Sequence, residues 1–188
     1  MHVDVDAEDW VLVLGGDGEA FGRIFDRRKE QVRRQARRVL DGRLDVEDAV
    51  AIVFLEAWRK RASVRVVDGS VLPWLLVTTM HVARNVRRGR SRYDGLLTRL
   101  PAPTAVPDPS TALEDREVLT AMRTLPLADQ QVLTLCVLEG WSQRDAAEAL
   151  AVAPGTVKSR LHRAKQRLAQ RVDRRSGATP SRGVSDGA

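Results

Sequence analysis

Apolar residues recur at spacings of three and four along most of this chain, the period of helices with one buried face. Three such runs are legible in the N-terminal half. The first extends from Gly18 to Leu40 and carries Arg23, Arg27, Arg28, Lys29, Arg33, Arg34, Arg37 and Arg38. The second begins at Asp45-Val-Glu-Asp48, with acids at the positive end of the helix dipole, and turns Val46, Val50, Val53, Phe54 and Ala57 inward. The third starts at Pro73, runs to about Arg88, and has Leu75, Leu76, Thr79, Met80, Ala83 and Val86 on its inner face. Val64 to Val71 is β-branched but short, and Gly69 and Pro73 punctuate it, so it reads as a loop. No alternating strand pattern stands out.

Four of the eight prolines fall between Pro101 and Pro109, the composition of an extended spacer. Beyond it, Pro126 suits the first turn of a helix running through Val132, Leu133, Leu135 and Leu138 to a stop at Gly140. Ser142-Gln-Arg-Asp145 is a capping-box-like start for a short helix ending near Leu150. Ala151-Val-Ala153 makes the turn, and Pro154 opens a last helix that continues to about Val172. Two helices joined by a tight turn, the second strongly basic, form a helix-turn-helix layout. The expected fold is therefore all-α: two small helical domains joined by a Pro-rich linker, the C-terminal one a helix-turn-helix. The expected boundaries are an N-terminal extension over 1–14, a first domain over 15–97, the linker over 98–112, a second domain over 113–172 and a disordered tail over 173–188.

Charge gives these helices a partner. The chain has 31 basic and 25 acidic residues, a net charge of +6, which favours a polyanion. From Pro154 to Arg175 there are eight basic residues and one acid. Projection at helical period puts Val157, Leu161, Ala164 and Leu168 on the core stripe, with Gly155, Ser159, His162, Arg163 and Gln166 opposite. Ser159, His162 and Arg163 are thus candidate readers of base edges in duplex DNA, and Lys158 and Arg160 flank them toward the phosphates. Thr156 joins this set. The alternative is a solvated basic face without a partner.

On the third helix, Trp74, Thr78, His81, Asn85 and Arg88 project outward with Arg84 and Arg87 at the edges. An aromatic that can stack on a base, an amide that can read one and several guanidiniums suit single-stranded DNA. Trp74 as a core residue is the competing reading. On the second helix Asp45, Asp48, Ile52 and Leu55 face outward, an acid-plus-aliphatic surface that suits a protein partner unless another helix covers it. The single cysteine, Cys136, excludes an intrachain disulfide and a Cys-based zinc site. It is expected as a buried, inert thiol. With no apolar run of about 18 residues and no signal-peptide pattern, a cytoplasmic protein without a membrane segment is expected. No catalytic set, metal site or cofactor site is expected.

The whole pattern resembles bacterial RNA polymerase sigma factors of the extracytoplasmic-function (ECF) group. The resemblance rests on Asp45-Val-Glu-Asp-Ala-Val50 with Phe54-Leu-Glu-Ala-Trp58, on Pro73-Trp-Leu-Leu76 with Val82-Ala-Arg-Asn85, and on Leu125-Pro126 with Gly155-Thr-Val-Lys-Ser-Arg-Leu-His-Arg-Ala-Lys165. It implies that the first domain binds core RNA polymerase and the melted −10 element, and that the second binds the −35 duplex. Asp45, Asp48, Ile52 and Leu55 would meet the clamp region of the largest subunit, and the C-terminal domain would meet the flap. By the same resemblance, Arg61 to Leu72 would hold a flipped −10 base, and an anti-sigma factor clasping both domains fits the family habit. Two positions depart from the family pattern. Ala51-Ile52 replaces a usual Gln-Glu, and Ala153 replaces a capping Ser, a loss of about 1 kcal/mol.

Two other classes stay open on sequence. An ordinary helix-turn-helix regulator would need only the duplex-binding face. A nuclease using Asp45, Glu47 and Asp48 on a metal would need converging carboxylates, whereas Glu47 points away from the other two.

Overall fold

The computed structural model describes residues 6–40, 42–96 and 113–176. The described part is helical, with one isolated β-bridge between Val67 and Ser70. Helices α1 (Asp6–Leu14), α2 (Gly18–Val39), α3 (Arg43–Arg59) and α4 (Leu72–Leu96) form the first domain. Helices α5 (Leu113–Arg123), α6 (Leu127–Leu133), α7 (Gln143–Leu150) and α8 (Pro154–Ser176) form the second. A 3-10 turn, Arg61–Ser63, follows α3, and α6 widens into a π-helical turn, Thr134–Leu138.

The N-terminal extension is corrected first. Its second half is α1, packed on α2 through Trp10 and Val13, both buried. The sequence hid it because a nine-residue helix offers only two turns of periodicity, and its acids read as solvated. They are not: Asp6 and Asp9 are buried and hold three arginines of α2. Asp17 then caps α2, accepting from the N–H groups of Glu19 and Ala20. Behind this surface Phe21 meets Phe54 and Trp58 edge-on, and Phe25 meets Phe54 at 4.7 Å between centroids. Val46, Val50, Val53, Phe54 and Ala57 are buried, as their spacing on α3 predicts.

In the second domain Ser142 caps α7 as expected, accepting from the Asp145 N–H at 3.1 Å and donating to its carboxylate at 2.6 Å. Ala151 takes the left-handed conformation (φ 56°) that ends α7, an uncommon choice for a residue with a Cβ. Ala153 has no side-chain acceptor, but its carbonyl takes the N–H groups of Thr156 and Val157, and Pro154 has none to place. The last helix runs four residues beyond Val172, to Ser176, so the expected tail begins too early. Likewise α4 continues past Arg88 to Leu96. The expected Pro-rich linker lies outside the described residues, as do residues 177–188.

The two domains do not stand apart. Val67, Leu72 and Leu76 of the first domain are buried in the same apolar cluster as Met122, Leu125, Val132, Leu135, Ala146, Val157 and Leu161 of the second. Around that core Arg38 pairs with Glu139 at 2.7 Å, Gln35 meets Thr134, and Arg123 donates to the carbonyls of Arg37 and Arg38. Each fully buried aliphatic side chain is worth about 1.5–3 kcal/mol. The joint is therefore apolar at its centre, with the mostly buried Arg38–Glu139 pair at its edge.

Candidate nucleic-acid interface

Helix α8 buries Val157, Leu161 and Ala164 and thereby turns Lys158, Ser159, His162 and Arg163 to solvent, with Thr156 and Arg160 half-buried beside them. The exposed side chains are ordered by their own helix. Ser159 donates to the Thr156 carbonyl, the Arg163 Nε–H donates to the Ser159 carbonyl at 3.2 Å, and Gln166 meets His162 at 3.1 Å. The rest of the Arg163 side chain is exposed. Further along, two cations serve the fold. Arg167 bonds the buried Asp129 at 2.6 Å, and Arg171 bonds Thr124. The charge run on α8 thus divides into a solvent-facing end and a bracing end, a division that residue counting could not make.

Helix α4 behaves differently. His81, Arg84, Asn85, Arg87 and Arg88 are exposed, whereas Trp74 and Thr78 are half-buried, and Trp74 packs on the edge of the first domain's core. Trp74 is therefore partly core and partly surface. Trp74, Thr78, His81 and Asn85 line one side of a groove of about 360 Å³ whose other side is Ile52, Glu56 and Lys60 of the α3 end. Arg84, Arg87 and Arg88 instead line a second cleft, of about 390 Å³, shared with Arg123 and Leu125–Leu127 of the second domain. His81 reaches across this joint to Gln131 at 3.1 Å. Burial, and then the nearby Arg84 charge, push its imidazole below the ordinary histidine range.

The outward face of α3 is open. Ile52 is 40% and Leu55 55% exposed, so no helix among the described residues covers them; Asp48 is exposed and Asp45 half-buried. Leu44, at 81%, extends the same stripe one turn toward the N-terminus. Sequence reasoning missed it by starting the helix at Asp45 when it starts at Arg43. Glu47 is bound to Arg33, whose hydrogen bond holds its carboxyl below the usual range. This removes Glu47 from any cluster with Asp45 and Asp48, and among the described residues no group of acids, histidines and cysteine could hold a metal ion. Cys136 is half-buried, and burial pushes its thiol pKa up, which disfavours the reactive thiolate. No helix among the described residues is long and apolar enough to cross a membrane.

The strongly basic α2 is largely neutralised. Arg23 pairs with Asp9, Arg27 with Asp6 and Asp9, Arg28 with Asp6, and Arg33 with Glu30 and Glu47. Asp9 is held below the usual carboxylate range by hydrogen bonds from Arg27 and then Arg23. Net positive charge available to a polyanion therefore concentrates on α4 and α8.

Both halves of the chain resemble known proteins. Residues 24–93 match the family model of sigma-70 region 2, and residues 115–168 match that of sigma-70 region 4. The chain is 32% identical over 171 residues to the ECF RNA polymerase sigma factor SigM of Mycobacterium tuberculosis, covering 90% of this chain and 85% of SigM. It is 30% identical over 158 residues to the RNA polymerase sigma factor CarQ of Myxococcus xanthus, covering 81% and 89%. Among solved structures, CnrH in complex with the cytosolic domain of CnrY shares the fold, with a TM-score of 0.63 at 23% identity, covering 91% of this chain and 99% of that one.

Proposed function

From the chain's membership of the sigma-70 family of RNA polymerase sigma factors, in its ECF group, we propose how each face serves promoter recognition. The protein is a sigma factor: it binds core RNA polymerase and directs promoter-specific initiation by recognising −35 duplex and melted −10 DNA. It is a specificity subunit of the cytoplasm, and the polymerase carries out the chemistry.

The first three turns of α8 enter the major groove at the −35 element. Ser159, His162 and Arg163 read bases, while Thr156, Lys158 and Arg160 hold phosphates. The groove beside α4 takes the melted −10 strand, with Trp74 stacking, Thr78, His81 and Asn85 reading, and Arg84, Arg87 and Arg88 on the backbone. The loop over 61–72 receives a flipped base. The Asp45, Asp48, Ile52 and Leu55 face meets the polymerase clamp, and the exposed Val137 and Leu138 suit the flap. In this division the first domain spans 15–97 with α1 added to it, and 98–112 links it to the second. An anti-sigma factor is a further partner, as NepR is for the sigma factor RpoE of Bartonella quintana.

One observation carries the reading. Two separate basic faces, one fully open on a helix-turn-helix and one grooved and aromatic, sit on one chain beside a stripe in which Ile52 and Leu55 are exposed. A duplex-only regulator needs just the first. Run-off transcription with purified core polymerase on genomic promoter fragments tests it. Discrete transcripts that depend on the protein are expected, and their absence from every template would overturn it.

A further inference from the structure

The most buried charged side chain among the described residues lies outside every face described so far. Asp6 is fully buried, and its carboxylate accepts four hydrogen bonds: Arg27 Nη1 at 2.6 Å, Arg28 Nε at 2.8 Å, Ser70 Oγ at 3.2 Å and the Val71 N–H at 3.2 Å. Two of these donors belong to α2. The other two sit at the entrance of α4, more than sixty positions away in sequence.

A helix start leaves backbone N–H groups without partners, and a local side chain usually accepts one of them. At α4 the local cap is Ser70, whose Oγ accepts the Leu72 N–H at 3.1 Å. That hydroxyl is in turn oriented by Asp6, to which it donates, while Asp6 takes the neighbouring Val71 N–H directly. Pro73 has no N–H to place. The carboxylate also lies at the positive end of the α4 dipole. The cap is thus shared between a residue of the loop and a residue of the first helix.

The segment this cap fixes is the one the promoter uses. Val67 and Ser70 exchange backbone hydrogen bonds at 2.8 and 2.9 Å around a tight turn at Asp68 and Gly69 (φ 48° and 75°). Ser70 and Val71 then lead into the helix. Trp74 stands three residues after Val71, and Thr78, His81 and Asn85 follow on the same face. A change in helix phase at its first turn would move all four together.

We propose that Asp6 is a positioning residue for −10 recognition, setting the base-holding loop and the Trp74 face through Ser70 and the first turn of α4. This rests on the reading of that loop and face as the −10 site.

Asp9 supplies the control. It ties α1 to α2 through Arg23 and Arg27 as Asp6 does through Arg27 and Arg28, but has no bond to the loop. Asp6→Asn, Ser70→Ala and Asp9→Asn would each be assembled with core polymerase and offered a single-stranded DNA library with a randomised window. Binding of −35 duplex and thermal unfolding would be measured in parallel. For Asp6→Asn and Ser70→Ala, enrichment of the preferred −10 sequence should fall roughly tenfold, the scale of one lost hydrogen bond to a charged group. Duplex binding should be unchanged, and Asp9→Asn should keep wild-type selectivity at a similar loss of thermal stability. If Asp6→Asn fails to fold, Ser70→Ala carries the test, because it leaves the Arg27 and Arg28 pairs in place. Selectivity lost equally in Asp9→Asn, or retained in Ser70→Ala, overturns the proposal. A wild-type holoenzyme with no single-strand selectivity would instead overturn the −10 reading beneath it.

Discussion

Helices α4 and α8 carry nearly the same sequence pattern, a buried aliphatic stripe opposed by a polar and cationic one, yet the fold treats them differently. Over the first three turns of α8 the polar stripe faces solvent, and the contacts of Ser159, His162 and Arg163 stay within the helix. On α4 the stripe is divided among a groove with α3, the edge of the core and the joint with the second domain. A reading helix for duplex DNA must be convex and unobstructed to enter a groove. A surface for unpaired bases gains from concavity, because stacking needs a wall and a flipped base needs a pocket. On the proposed roles, this difference separates single-strand from duplex recognition more sharply than charge does.

The largest expected consequence falls on the concave side. Trp74→Ala removes both a stacking surface, worth about 1–3 kcal/mol per base, and part of the packing against the first domain's core. Promoter opening, followed by permanganate reactivity of melted thymines, should drop by tenfold or more while −35 binding holds. Equal loss of both would mean that Trp74 acts only through the fold. On the convex side Arg163→Ala should weaken −35 duplex binding by about 1–3 kcal/mol and relax the preference at one base pair. An unaltered footprint would move base reading to Ser159 and His162.

Ile52 lies where the comparison is least settled, on the open α3 stripe and at the rim of the α4 groove. Ile52→Asp should reduce association with core polymerase by on the order of 1 kcal/mol or more, as loss of an apolar anchor does. If a pull-down is unaffected and single-strand binding falls instead, the residue belongs to the DNA groove.

The smallest effect concerns pH. The His81 pKa is depressed in the folded protein by burial and Arg84, so below about 6.5 the unfolded chain binds more protons. Stability from this contact is present above that value and is lost as pH falls from there toward the depressed folded value. Thermal unfolding should show a shallow decline on acidification that His81→Gln removes. An identical slope in the variant would assign the decline to other groups.

The helical period, the cap at Ser142, the helix start at Pro154, the buried stripes of α3 and α8 and most residues of the outer faces were legible in the chain. They depend on local geometry, because a side chain's angular position on a helix is fixed by its number. Leu44 escaped through a two-residue error in a helix start. Asp6 and Asp9 escaped because an acid near the N-terminus looks solvated until the arginines of another helix are brought beside it. The same holds for the joint formed by Val67, Leu72 and Leu76, three apolar residues whose spacing gives no sign of which domain will cover them.

By itself, then, the sequence determined which residues each helix presents, and through its motifs the two halves of a promoter-binding subunit. Only the tertiary structure decided which cations remain available, which face is open or grooved, and that a carboxylate of the first helix completes the start of the fourth. Those outcomes depend on contacts between residues distant in the chain, and neither periodicity nor charge counting measures such distances.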